Sequence, residues 1–301
     1  MKHLYFDCFS GISGDMTLAA LLDLGVPAQY LKEELAKLNL TGYQISVSTA
    51  RRMGLAGKKV AVKLTGHDHS HRTYRTIETL IRKSALNDHT KEISTAIFYR
   101  LARAEARVHN CKITDVHFHE VGAVDSMVDI IGSAICIDYL GVENFSASAV
   151  PLGSGSIKCQ HGMFPVPAPA ALEMLKGVPV YCSDGTGELV TPTGAAIVTA
   201  LVKTFGAPPA MTITNVGYGA GSRDIPGMPN MLRLMLGETQ SVAADEYVWM
   251  LEANMDDMIP EHLGYVLERL LEKGALDAWF TPIYMKKNRP GILLSVLCRP
   301  D

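Results

Sequence analysis

Apolar residues recur along the chain with a period that switches between two and about 3.6, and the switches mark out alternating strands and helices. Residues 4–7 read as a short strand. A helix capped by Ser13 or Asp15 follows and runs to Leu24, where Gly25 and Pro27 stop it. Residues 27–38 read as a second helix. Residues 43–49 and 58–64 alternate as a hairpin-like strand pair, with 51–57 between them. Residues 73–83 are predicted helical, and 88–109 form a long helix with Ile93, Ile97, Leu101, Ala104 and Val108 on one stripe. The helix of residues 122–140 is apolar nearly all round, the pattern of a buried element. From 145 to 187, short strands alternate with Pro-rich turns and one helix near 168–175. A helix over 193–203 and strands over 211–216 and 231–236 complete this region. The polar stretch 237–246, with a linker at 240–246, separates it from strands at 247–253, 278–283 and 292–297 and an amphipathic helix over 260–272 opened by Pro260.

This is the pattern of an α/β to α+β protein. It predicts a mixed-sheet N-terminal domain with flanking helices over 1–239, then the first, incomplete part of an α+β domain over 247–301. No period of about 20 to 50 residues repeats, which excludes a solenoid. With 301 residues, 48% hydrophobic and 20% charged, the chain suits a soluble two-domain protein. A net charge of -3 argues against nucleic acid as partner, and Arg51, Arg52, Lys58 and Lys59 form only a modest basic patch. The first residues lack an apolar core of signal-peptide length, and no stretch reaches the roughly 18 apolar residues of a membrane span. A cytoplasmic protein is expected. The cysteines (Cys8, Cys111, Cys136, Cys159, Cys182, Cys298) are scattered without a CxxC pair, so reduced thiols are expected. Some of these lie in the core, while Cys8 and Cys159 sit in motif regions.

The chemistry concentrates at residues 117–129, HFHEVGAVDSMVD, where His117, His119, Glu120, Asp125 and Asp129 crowd the entrance of the apolar helix. If the segment is extended, His117 and His119 project to one side and Glu120 to the other. Asp125 and Asp129, four apart, share a helix face. Imidazoles mixed with carboxylates favour a first-row transition metal over magnesium or calcium. The same residues also admit a plain role as loop histidines, a first-turn acid and a solvated aspartate. Acids are nonetheless costly beside Ile130, Ile131, Ala134, Ile135 and Ile137. A second tract, GHDHSH at 66–71, sets His67, His69 and His71 at alternating positions; such tracts bind metal or form solvated loops. Alternating histidines in a mobile stretch suit transient loading better than a closed structural site does.

Several loops could hold phosphate. At the end of the first strand Asp7, Ser10, Gly11, Ser13, Gly14 and Asp15 lead into a helix N-terminus, where free N–H groups favour anions. The acids there fit a metal-bridged phosphate better than a bare one, although Asp15 also reads as a cap. Thr191 and Thr193 open another helix after a Gly-rich turn. The run GYGAG at 217–221 lacks a following helix, and GLAGK at 54–58 is too short for a P-loop, so neither signals a cofactor. Near the C-terminus Glu252, Asn254, Asp256 and Asp257 offer hard oxygen ligands, and Lys286, Lys287 and Arg289 supply cations. Together they look like two halves of a nucleoside triphosphate site, although the basic run taken alone reads as a solvated hairpin tip.

As a set, DCFSGISGDM (7–16), HFHEVGAVDS (117–126), VPLGSG (150–155), His161-Gly162, PVPAP (165–169), GELVTPTG (187–194), EANMDD (252–257) and YMKKNRPG (284–291) resemble the LarC nickel-insertion protein family. The resemblance spans residues 4–298. It implies a CTP-dependent nickel chelatase, a lyase that inserts Ni(II) into pyridinium-3,5-bisthiocarboxylic acid mononucleotide to make the nickel-pincer nucleotide of lactate racemase. It further implies a histidine-rich metal segment matching His67, His69 and His71, and a C-terminal domain that binds CTP with Mn(II) or Mg(II). Family members continue for about a hundred residues beyond the position of Asp301. Truncation is therefore expected to leave the strand 292–297 as an exposed, associating edge. A separate C-terminal fragment, lactate racemase or a second copy in a homo-oligomer are the partners expected. Ile259, where a polar cap belongs, is expected to weaken the start of the helix at Pro260. Two other classes remain: a nickel carrier or storage protein without chemistry, and a metal-dependent phosphohydrolase using Asp7, Asp15 and the helix-entrance acids.

Overall fold

The structure, a computed structural model, describes residues 1–65, 72–118, 123–159, 162–239 and 248–299, with the side chains of 158, 159, 184 and 186 left aside. The chain divides into two compact units, Met1–Gln240 and Ser241–Asp301. In the first, seven strands form one mixed sheet, in the order β2 (Tyr43–Arg52), β3 (Leu55–Leu64), β10 (Thr212–Ala220), β11 (Met231–Glu238), β1 (Lys2–Asp7), β4 (Asn144–Ala147) and β9 (Thr204–Phe205). Leu4, Tyr5 and Phe6 are buried although they point alternately to the two faces, as befits an interior strand. β1 accordingly pairs antiparallel with β11 on one side and parallel with β4 on the other.

The described helices of this unit are α1 (Gly14–Asp23), α2 (Ala28–Ala36), α3 (Tyr74–Lys83), α4 (Asp88–Val108), α5 (Val124–Leu140), α6 (Pro169–Met174) and α7 (Pro192–Leu201). α1 lies on β3, β10 and β11, and α5 packs behind it, in contact also with α2, α4 and α7. That position explains why α5 is apolar all round, and Gly141, in the left-handed conformation, ends it. Leu18, Leu31, Ile77, Phe98, Ile130 and Leu234 belong to one continuous core. Two small additions, the parallel pair β5 (Val150–Ser154) and β8 (Val180–Thr186) and the hairpin β6 (Ser156–Cys159) and β7 (Gly162–Pro165), occupy the Pro-rich region.

Three sequence expectations change. The first hairpin is longer than predicted: pairing continues to Arg52↔Leu55, because Met53 and Gly54 both take positive φ and close a two-residue turn. The glycine run 217–221 is mostly strand β10, and its glycines serve packing. A Cβ on Gly219 would lie 1.8 Å from the Met16 carbonyl oxygen, so α1 rests directly on this backbone. Gly237 and Glu238, placed in the polar stretch by sequence, end β11 opposite His3 and Lys2, while residues 240–247 lie outside the described residues.

The second unit has one antiparallel sheet in the order β12 (Trp249–Met255), β14 (Arg289–Cys298), β13 (Asp277–Met285), with α8 (Pro260–Glu272) packed on β13. The expectation that residues 292–297 form an exposed edge is wrong. β14 is the middle strand, and the edges are β12 and β13, because the chain order folds the last strand between the earlier two. α8 does start at Ile259 without a side-chain cap. Among the described residues no helix is long and apolar enough to cross a membrane.

Candidate functional site

The loop leaving β1 is stitched to the segment before α7. The Ile12 amide donates to the Leu189 carbonyl (2.9 Å) and the Thr191 amide to the Ile12 carbonyl (3.1 Å). Ser13, buried, caps α1 by accepting from the Met16 amide at 3.4 Å and donates its hydroxyl proton to the Asp15 carboxylate. Asp15 accepts from the Met16 amide at 2.9 Å but lies within the first turn of α1, so of the two expected caps it is Ser13 that serves. Thr191 caps α7 through the Gly194 amide (3.2 Å), and its hydroxyl is 2.9 Å from that of Thr193. Thr193 also accepts from the Gly14 amide at 3.3 Å, which ties the starts of α1 and α7 together.

α5 closes this junction from the other side. A Cβ on Gly14 would sit 2.8 Å from both Cβ and Oδ2 of Asp129, so only glycine lets the α1 start approach that carboxyl. Asp129 Oδ1 is shut off from solvent without a hydrogen-bond partner among the described residues. Burial, and then the neighbouring Asp15 and Asp125 carboxylates, push its pKa well above the ordinary range. Asp125 is exposed and accepts from the Ser126 amide at 2.8 Å. Ser10 is fully buried, with no hydrogen-bond partner for its hydroxyl among the described residues, one residue before Gly11 turns back against the Leu189 carbonyl. The starts of α1 and α7 thus meet at Gly14 and Thr193, where their dipoles favour negative charge, and Asp129 reaches Gly14 from the second turn of α5.

Asp7 is committed elsewhere. Arg233 donates to its carboxylate from Nε at 2.8 Å and from Nη2, and lies with its guanidinium carbon 5.8 Å from the centre of the Phe9 ring. Sheet register accounts for the pair: Asp7 and Tyr218 sit opposite Arg233 on the two neighbouring strands. Sequence reasoning missed Arg233, yet a signal exists, since it is the one charged residue within the predicted strand 231–236. Cys8, within the same motif, is a core thiol: burial, and then Asp7, push it up to about 12, out of the range of a metal-binding thiolate.

His117 is exposed, and its backbone bridges Thr73 in antiparallel fashion. The Phe118 amide donates to the Arg72 carbonyl (3.2 Å) and the Tyr74 amide to the Val116 carbonyl (3.3 Å). Phe118 is buried against Phe98, which pins this short pairing to the core. The residues that border both histidine tracts are therefore held side by side. His67, His69, His71, His119 and Glu120 themselves lie outside the described residues. Among the described residues no three His, Cys, Asp or Glu side chains gather closely enough to hold a metal ion.

In the second unit, strand register sets the acids at the end of β12 near the turn between β13 and β14. Met255 pairs with Ile292, and the Arg289 guanidinium is 3.8 Å from the Asp256 carboxylate. Lys286 and Lys287 fill that turn, where Lys287 and Asn288 take positive φ. Glu252 accepts from the Ser295 hydroxyl at 3.2 Å, and Asn254 lies opposite Leu293. Asp257, next to Asp256, is exposed.

The first unit is a mixed-sheet α/β domain in which the carboxyl of Asp129 lies near those of Asp15 and Asp125 where α5 meets α1. The sequence model of the family described as "Nickel insertion protein" matches residues 4–301, and the chain belongs to that family. Relatives in Geotalea uraniireducens (strain Rf4) and Pelobacter propionicus, both named for nickel insertion, are 53% and 55% identical. They are matched over 100% and 99% of this chain and 77% and 76% of their own lengths. A Geobacillus kaustophilus relative is named pyridinium-3,5-bisthiocarboxylic acid mononucleotide nickel insertion protein; it is 47% identical over 99% of this chain and 77% of its own length. Among solved structures, the apo form of LarC2, titled the C-terminal domain of a cyclometallase in synthesis of the NPN cofactor of lactate racemase, shares 55% identity. It covers 18% of this chain and 37% of its own, with a TM-score of 0.17.

Proposed function

We propose that this protein inserts Ni(II) into pyridinium-3,5-bisthiocarboxylic acid mononucleotide, the substrate named for the Geobacillus relative, with CTP as cosubstrate. The reading is supported above all by the pairing of Arg72 with Phe118, which holds the borders of the two histidine tracts together. Nickel is taken up by His67, His69 and His71 and passed to His117, His119 and Glu120. From there it moves to the thiocarboxylate sulfurs, softer donors than imidazole. The substrate phosphate is held at the joined helix starts by Gly14, Ser13, Thr191 and Thr193, where N–H dipoles favour an anion and Asp15, Asp125 and Asp129 favour a bridging cation. CTP binds in the second unit at Lys286, Lys287 and Arg289. Its Mn(II) or Mg(II) is held by Glu252, Asn254, Asp256 and Asp257, a hard-oxygen set of the kind such ions take.

The test is to load purified protein with Ni(II), add the substrate and CTP, and follow the nickel-bound product. His117→Ala with His119→Ala is expected to lower bound nickel and to abolish product. Bound nickel and product at wild-type levels in that variant would refute the assignment. Omitting CTP separates the reading from a simple carrier, since a carrier binds and releases nickel with or without the nucleotide.

A further inference from the structure

On α4, Arg100, Arg103 and Arg107 stand three and four residues apart, on one stripe about 10 Å long. The stripe faces a cleft of about 580 Å³ where α6 packs on α4, with Lys176 and Glu173 on the opposite wall. Four cations meet one carboxylate there, in a chain whose net charge is -3. Glu173 is already ion-paired with Lys176, and its carboxyl is held below the usual range by that bond and by Lys176, Arg107 and Arg103. Arg100 is fixed, donating to the Met174 carbonyl at 3.1 Å and to the Thr199 hydroxyl at 3.3 Å. Arg103 and Arg107 are exposed and make no hydrogen bond or ion pair from their guanidinium groups among the described residues. Like charges at this spacing repel one another, and no residue of the nickel or nucleotide sites proposed above lies here.

We propose that this cleft binds a small-molecule diphosphate or higher phosphate, with Arg103 and Arg107 holding the anionic groups and Arg100 set in place beside them. The length of the stripe matches charges spread along a ligand better than a single phosphate. Guanidinium groups offer paired donors suited to phosphate oxygens. Met174, Ile113 and Ala104 give the cleft an apolar wall for an attached group, and its size is that of a site for a nucleotide-sized ligand.

The test is calorimetric titration of the full chain with inorganic pyrophosphate, with orthophosphate as control, at low salt and without divalent cations. Pyrophosphate is expected to bind saturably and at least tenfold more tightly than orthophosphate. Arg103→Glu with Arg107→Glu is expected to weaken it at least tenfold, with helix content and melting unchanged because both side chains are exposed. If charge reversal unfolds the chain, Arg103→Gln with Arg107→Gln carries the same expectation. Lys58→Ala with Lys59→Ala, in the basic patch of the first hairpin, is expected to leave this binding unchanged. Absence of saturable binding, equal affinity in the Arg103 and Arg107 variants, loss in the Lys58 and Lys59 variant, or tighter binding of a polyglutamate peptide at the cleft would each overturn the assignment. Nickel capture by the histidines is unaffected by any of these outcomes, so the two proposals stand or fall separately.

Discussion

Asp129 holds a carboxyl in a place where water cannot reach one of its oxygens and where Asp15 and Asp125 add negative charge. In the unfolded chain it loses its proton near the ordinary value of 3.8, whereas in the folded chain it keeps the proton to higher pH. The folded state therefore binds more protons across that window. The stabilising contribution is complete below the ordinary value and is lost as pH rises toward the raised one. Asp129→Asn removes this slope, so urea midpoints of metal-free wild type and variant are expected to diverge in the variant's favour as pH rises above 4; parallel pH profiles would contradict the burial. Gly14→Ala acts on the same contact from the facing helix. With the added Cβ only 2.8 Å from Asp129, a cost of about 1–3 kcal/mol in denaturant unfolding is expected. The acid spacing made Asp129 legible in the sequence, because carboxylates four apart at the start of an apolar helix are conspicuous. Arg233 was not, because its pairing with Asp7 depends on which strands become neighbours, and no local pattern encodes that.

At the level of elements, the segment bearing His117 is held by the buried Phe118 side chain together with its backbone pairing. Phe118 is 1% exposed and packs near Phe98. Phe118→Ala is expected to cost about 3–5 kcal/mol, and Phe118→Leu less than about 2. If that anchor aligns the histidine tracts, bound nickel per chain falls in the alanine variant under conditions where it remains folded, and recovers with leucine. Nickel content that is equal in both would separate metal capture from this pairing. Helix ends were well read from the sequence, since Ser13, Thr73 and Thr191 cap with their own side chains and Gly141 terminates. Strand ends were read less well. The first hairpin turn needed positive φ at Met53, a residue with no such preference, and β10 ran through glycines that serve contact with α1. The position of β14 between β12 and β13 was likewise invisible, because order in a sheet is a property of tertiary pairing rather than of periodicity.

Across the whole molecule, burial is divided unevenly between the two units. The continuous core lies in Met1–Gln240, while among the described residues of Ser241–Asp301 only Ser295 and Val296 are buried. In that second unit Trp249, Met250 and Leu251 stay half exposed along an edge strand, as do Tyr265 and Leu271 on α8. Apolar burial is the main force that offsets chain entropy, and a unit of roughly 60 residues is marginal even with a well-filled core. The second unit is thus expected to unfold at lower denaturant than the first. The chain supplies its own reporters, because both of its tryptophans, Trp249 and Trp279, belong to the second unit. Tryptophan fluorescence then follows that unit alone, whereas far-UV circular dichroism is dominated by the described helices α1 to α7 of the first. In urea the fluorescence transition is expected to precede the dichroism transition, with a lower midpoint and a shallower slope, since less surface is exposed. Adding CTP with Mg(II) is expected to raise the fluorescence midpoint by mass action and leave the dichroism midpoint in place, because the proposed ligand site lies in the unit that the tryptophans report. Coincident transitions that move together on adding nucleotide would instead show that the two units unfold as one cooperative body.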